Sequence, residues 1–168
     1  MIDIQQKEDY LFNDALHWQV EFHCFCNDIK DFKIRRNIAN LYSQKMTERI
    51  KLCKSPIERI LYLICLRFPP EVGLENIFLQ YKIDKYFADI AIKNTEGKII
   101  IFEADGHDFH EKTKEQAKHD KERDRFLQSL GCKIYRFTGS EIYSNTLDVI
   151  IEVSTIIENE FYGDCENE

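Results

Sequence analysis

The residues best suited to chemistry lie where an apolar run stops. Ile99-Ile100-Ile101-Phe102 leads into Glu103-Ala104-Asp105, and Gly106-His107-Asp108-Phe109-His110 follows. The β-branched run reads as a buried strand. A carboxylate at the end of such a strand costs several kcal/mol unless something pairs with it. Asp89 sits one hairpin upstream, in Phe87-Ala88-Asp89-Ile90-Ala91-Ile92. Two neighbouring strands thus bring acids to a common place. Crowded carboxylates repel one another, and a divalent cation relieves that repulsion. The expected ligands are Asp89, Glu103, Asp105 and the backbone carbonyl of Ala104. Hard oxygen donors of this kind suit Mg²⁺ or Mn²⁺ rather than zinc.

Each assignment has a plainer alternative. Asp89 and Glu103 can be structural strand acids, and Asp105-Gly106 can be a turn. Glu58 follows Ser55-Pro56-Ile57 and fits a capping box closed by Ser55. His107 and His110 can be ordinary loop histidines. The charges of residues 111–130 can form a solvated helix face with i,i+4 pairs. His17, His23 and His119 read as structural or exposed.

The elements that must position these groups follow from the rest of the chain. Residues 3–50 hold no glycine or proline and carry helical spacing at Leu11, Ala15, Trp18 and Phe22, then at Ile34, Ile38, Leu41 and Tyr42, with a break at Asn27-Asp28. A helix starts at Ser55-Pro56 with the stripe Ile57, Ile60, Leu61, Ile64 and Cys65, and Phe68-Pro69-Pro70 ends it. From Ile77 the period falls to two. Turns at Asp84-Lys85 and Asn94-Thr95-Glu96-Gly97 separate three strands, the third covered on both faces. A charged helix over 111–130 is stopped by Gly131. A fourth strand spans 132–137. One last helix opens at Gly139, with Ile142, Leu147, Ile150, Ile151, Val153 and Ile157 buried. The strand–helix–strand crossover makes strands three and four parallel. The expected fold is α/β (α+β): a mixed central sheet of about four strands flanked by helices, with an N-terminal helical appendage. The divisions are 1–53 (helical region), 54–162 (core) and 163–168 (acidic tail).

Composition sets outer bounds. The chain has 168 residues, 43% of them hydrophobic, and a net charge of −7. That length buries a core without staples. No apolar run approaches the roughly 20 residues of a membrane helix, and the polar, acidic start is not a signal peptide. A cytoplasmic location is expected. The six cysteines read as reduced thiols. Cys24-Phe25-Cys26 is too closely spaced for the usual zinc pattern. The acidic total argues mildly against a general nucleic-acid binder, yet a local basic patch is enough to dock a phosphate backbone.

Taken in order, Glu58 on a helix, Asp89 on one strand and Glu103-Ala104-Asp105 on the next resemble the PD-(D/E)XK nuclease superfamily. The match looks closest to the branch of very-short-patch repair endonucleases. That branch carries an acid–small–Asp–Gly segment followed by histidine, here Asp105-Gly106-His107 and His110. It also carries a later Arg-Asp before Leu and Gly, here Arg123-Asp124 with Leu130-Gly131. The resemblance covers about residues 55–145. It implies a Mg²⁺-dependent deoxyribonuclease with Glu58, Asp89, Glu103 and Asp105 as catalytic acids. The chain departs from the superfamily at its lysine position, which is Asp105. His107 or His110, or a lysine from the next helix (Lys114, Lys118 or Lys121), is the available substitute base. Lys112, Lys114, Lys121, Arg123, Lys133 and Arg136 are the expected DNA contacts, with Arg123–Asp124 alternatively a structural pair beneath the site. The partner is DNA, and a homodimer is compatible with the pattern. Two other readings fit the same residues. One is a catalytically inactive nucleic-acid-binding module. The other is an interaction protein or toxin-like effector whose N-terminal helices around Trp18 hold a protein partner.

Overall fold

In the computed structural model, residues 3–67, 73–106 and 114–163 are described. The expectations for Phe68-Pro69-Pro70, His107, His110, Lys112 and the acidic tail beyond residue 163 lie outside them. The elements run α1 (Ile4–Cys26), α2 (Phe32–Ile50), α3 (Pro56–Cys65), a short 3₁₀ turn (Leu74–Asn76), β1 (Ile77–Ile83), β2 (Tyr86–Lys93), β3 (Ile99–Asp105), α4 (Lys114–Ser129), β4 (Lys133–Thr138), α5 (Gly139–Ser144) and α6 (Thr146–Tyr162). The four strands form one sheet in the order β1-β2-β3-β4. β1, β2 and β3 pair antiparallel, and β4 joins β3 in parallel after the α4 crossover. This is the mixed, helix-flanked sheet the sequence predicts.

Strand alternation divides the interior. Ile100 and Phe102 of β3 face the larger core, which holds α1, α3, α5 and α6. Ile101 faces a smaller one with Ala88, Leu127 and Cys132, under α4. A strand buried on both faces needs an unbroken apolar run, which is what residues 99–102 supply. α4 ends where Gly131 takes φ +80°, a conformation open to a residue without Cβ.

The N-terminal helices are part of the same core. Leu11, Ala15 and Cys24 of α1 and Met46 of α2 are buried with α3. Gln19, fully inside, donates to the Leu66 carbonyl at 2.8 Å and accepts from the Leu74 amide at 3.1 Å. Glu8 of α1 holds the Arg59 guanidinium of α3 at 3.1 Å through both oxygens.

Three local expectations are corrected. Trp18, placed on the buried stripe of α1, is 46% exposed, and Gln19 occupies the inward position. Ile34 and Leu41 of α2 are exposed as well; its inward face is Tyr42 and Met46. The last helix is two, because the chain breaks at Asn145. Leu147 and Ile151 point to solvent, and Val149, Val153, Ile156 and Ile157, which continue the helical spacing from Ile142, are buried.

Candidate active site

The site forms at the C-terminal end of β3, where the sheet comes apart. β2 and β3 pair regularly from Lys93↔Ile99 to Ile90↔Phe102, and there the ladder stops. Continued, the register would set Ala104 opposite Ala88. Instead the Ala104 amide donates to Asp89 Oδ2 at 3.3 Å. A strand residue's N–H and C=O point to the same side, so the Ala104 carbonyl also faces the gap that Asp89 fills.

On the other side of β2 the β1 ladder is interrupted at the same level. Pairs Leu79↔Ile90 and Tyr81↔Ala88 flank Gln80 and Asp89, which do not pair. Gln80 sits at φ +49°, rare for a residue with a Cβ. Its side-chain amide donates to Glu58 Oε1 at 2.7 Å and to Asp89 Oδ1 at 3.4 Å. Glu58, buried in the first turn of α3, accepts the Lys54 amide on its other oxygen at 2.7 Å. The capping arrangement therefore differs from the expected box. Ser55 caps the Glu58 amide at 3.2 Å, but the reciprocal bond goes to Lys54, one residue earlier.

Burial pushes both carboxyls up from their usual range. For Glu58 burial leads, opposed by the Lys54 and Gln80 hydrogen bonds, and Asp89 pushes it up further. For Asp89 burial leads again, the nearby Glu103 charge adds to it, and the Ala104 amide opposes. The Lys54 side chain lowers both. A buried acid and a half-buried one joined by one amide are an electrostatic deficit that a cation would relieve.

Glu103 is placed differently. It shares a side of β3 with Ile101, toward α4, and is 7% exposed. Arg123 grips both of its oxygens and also donates to the Phe87 carbonyl at 2.7 Å. Arg136 adds a bond from Nε at 3.3 Å. It forks onto Asp124 at 2.6 and 2.7 Å and lies 3.9 Å from Asp105. Hydrogen bonding to Glu103 raises the Arg123 pKa, and that to Asp124 raises the Arg136 pKa. Arg123 and Arg136, expected to hold DNA, lie within an ion network under the sheet end; the Arg123–Asp124 pair is a longer contact at 3.8 Å, and Asp124 is held by Arg136 instead. Three acids and two arginines close on themselves there, which leaves the Arg side chains little freedom to leave.

The remaining candidates separate by position. Lys114, Lys118 and Lys121 are exposed on α4, with Lys118 3.9 Å from Glu122. Lys133 starts β4 beside Ile100, whereas Thr138 at its far end lies beside Asp105. Five strand residues, about 16 Å, therefore part Lys133 from the site, and it pairs with Glu160 at 3.7 Å. Among the described residues, no three His, Cys, Asp or Glu groups stand in a ready-made metal cluster. Sequence reasoning missed Gln80 and the Lys54 amide. Gln80 was legible only as the polar member of an alternating strand.

This mixed sheet, with acids gathered at one strand end beneath a helix, defines a restriction-endonuclease-like fold. A family model agrees: REase_MTES_1575, a restriction-endonuclease-like family, matches residues 72–157, a little over half of the chain, and the chain belongs to that family. No curated protein and no solved structure matches it. Among the described residues no helix is long and apolar enough to cross a membrane.

Proposed function

We propose that the protein is an endonuclease that hydrolyses DNA phosphodiester bonds with Mg²⁺ or Mn²⁺. The observation that carries this reading is the Glu58–Gln80–Asp89–Ala104 arrangement. One buried acid, Glu58, and one half-buried, Asp89, both raised in pKa, meet a strand end whose backbone faces them. The donor set fits a hard divalent ion: Asp89, the Ala104 carbonyl and Glu58 or Asp105 would hold it. Such an ion, when bound, polarises a phosphate oxygen and activates water. Asp89 fixes the ladder end through the Ala104 amide, so the carbonyl and carboxylate keep one orientation. Gln80 holds Glu58 and Asp89 together against their repulsion. Glu103 is assigned a positioning role: pinned by Arg123 and Arg136, it anchors the end of β3 and adds negative field at Asp89. Asp105, His107 and His110 are the candidates for handling the proton of the attacking water, since no lysine occupies position 105. The narrower likeness to very-short-patch repair endonucleases rests on the Asp105-Gly106-His107 and Arg123-Asp124 motifs.

Supercoiled plasmid and single-stranded DNA incubated with Mg²⁺ or Mn²⁺ test the reading. Nicking that disappears in Asp89→Ala supports it. Absence of cleavage with either ion, or cleavage indifferent to Asp89→Ala, removes it.

A further inference from the structure

We infer that the exposed face of α2 is a DNA-docking surface that lies along the duplex and delivers the phosphate backbone to the Glu58–Asp89 site. The inference rests on the nuclease reading for its substrate and adds the surface that holds it. Charge is the first argument. Residues 30–54 carry eight basic side chains and two acidic ones, a net +6 within a chain of net −7, so the other residues together hold −13. Such segregation is unexpected for a helix whose only task is to cover a core.

Arrangement is the second argument. Lys33, Arg36, Asn40, Gln44, Thr47 and Lys51 recur at steps of three and four, so they share one face, and all six are exposed. The single acid of α2, Glu48, is exposed and borders that face, one turn from Gln44 and from Lys51. Lys33, Arg36 and Lys51 have no ion-pair partner among the described residues. The two arginines on the protein side of the helix are already used: Arg35 bonds Glu21, and Arg49 bonds the Leu74 and Ile77 carbonyls, the latter at 3.0 Å. The stripe thus has cations at its ends for phosphates and amides in the middle, the side-chain type that pairs with adenine edges. Nineteen residues span about 28 Å, and a B-DNA major groove of about 12 Å admits an α-helix.

Continuity is the third. α2 leads within a few residues to Lys54, whose amide is bonded to Glu58 and whose side chain acts on both Glu58 and Asp89. The C-terminal end of the stripe, Lys51, is thus three residues from the one whose amide holds Glu58. The α4 lysines, by contrast, alternate with Glu115 and Glu122 on a helix of mixed sign.

The test measures binding apart from cleavage. In the full-length Asp89→Asn protein, anisotropy of a fluorescein-labelled DNA duplex is followed against salt. Lys33→Ala/Arg36→Ala/Lys51→Ala is expected to weaken binding at least about tenfold. It should also flatten the log K against log salt slope by about 3, near 0.9 for each lost phosphate contact. Circular dichroism of that triple variant should be unchanged. The inference is overturned if the triple variant binds as its parent does, if only Lys114→Ala/Lys118→Ala/Lys121→Ala flattens the slope, or if an RNA duplex of the same sequence binds more tightly. Binding through α2 without cleavage by the wild type would sink the nuclease reading alone. Cleavage by the wild type with full affinity in the triple variant would sink this one alone.

Discussion

Arg123 reaches back from the middle of α4 to take both oxygens of Glu103, so the acid that ends the apolar run of β3 is neutralised from beneath the sheet. Asp89, its neighbour on β2, is gripped by no such cation among the described residues and leans on the Ala104 amide and Gln80. Two acids that look alike in sequence have opposite electrostatic situations. One is satisfied, and the other is left under strain at the surface of the gap.

Removing Arg123 should therefore be costly. Arg123→Ala leaves buried Glu103 with only the longer Arg136 bond, with an expected loss of about 3 kcal/mol. Replacing both partners with apolar residues, Glu103→Leu/Arg123→Met, should recover most of that loss. Urea unfolding of the two single variants and the double variant gives the coupling. Additive losses would show that the pair is not a unit.

Asp89→Asn should separate stability from activity. A carboxyl whose folded pKa is raised binds its proton more tightly in the native state than in the unfolded one. Its penalty is absent below the ordinary carboxylate range and grows as pH rises through the raised folded value. The metal-free protein should thus lose stability through Asp89 and Glu58 as pH rises above the ordinary carboxylate range. Asp89→Asn should flatten that decline and gain about 1 kcal/mol at pH 7, a few degrees in Tm, while ending cleavage. Thermal melts in EDTA across pH 4–8 check it; a variant that tracks the wild type at every pH would contradict the burial argument.

Gln80 combines a strained backbone with a bridging side chain. Gln80→Ala keeps φ +49° unfavourable and strips Glu58 Oε1 of its donor, with an expected loss of about 1–3 kcal/mol. Gln80→Gly loses the same bond but relaxes the backbone, and should be more stable than the alanine variant by about 1 kcal/mol. Equal stabilities would mean that the positive φ is not retained in solution.

Gln19 closes the hydrogen bonds of the Leu66 carbonyl and the Leu74 amide inside the core. Gln19→Leu preserves bulk but orphans both groups, at about 1–3 kcal/mol each. Chemical denaturation should show a clear drop in midpoint with an unchanged m-value. A midpoint like that of the wild type would mean that water replaces the amide.

Thiol reactivity should follow burial. Cys24, Cys53, Cys65 and Cys132 are buried and free, and Cys26 is exposed. Burial raises the Cys53 thiol to about 12 and Cys65 beyond the normal range. Among these five, only Cys26 should react quickly with Ellman's reagent in the native state, with the rest appearing on unfolding.

The sequence by itself determined the strands, their turns and the parallel crossover, because period-two and period-3.6 patterns with Gly97 and Gly131 as stops are local signals. It also determined which acids would gather at one end of the sheet, since strand order follows from short connections. Tertiary structure decided how each acid is satisfied. Glu103 meets Arg123 twenty residues on, and Glu58 meets Gln80 and Asp89 through a side chain with no local signature. It decided the break at Asn145, which the apolar spacing does not announce, which apolar residues of α6 turn inward, and the inward turn of Gln19 in place of Trp18. Charge partners and helix phase depend on where distant chain segments land, and pairwise electrostatics in a low-dielectric interior are set by those distances rather than by residue type.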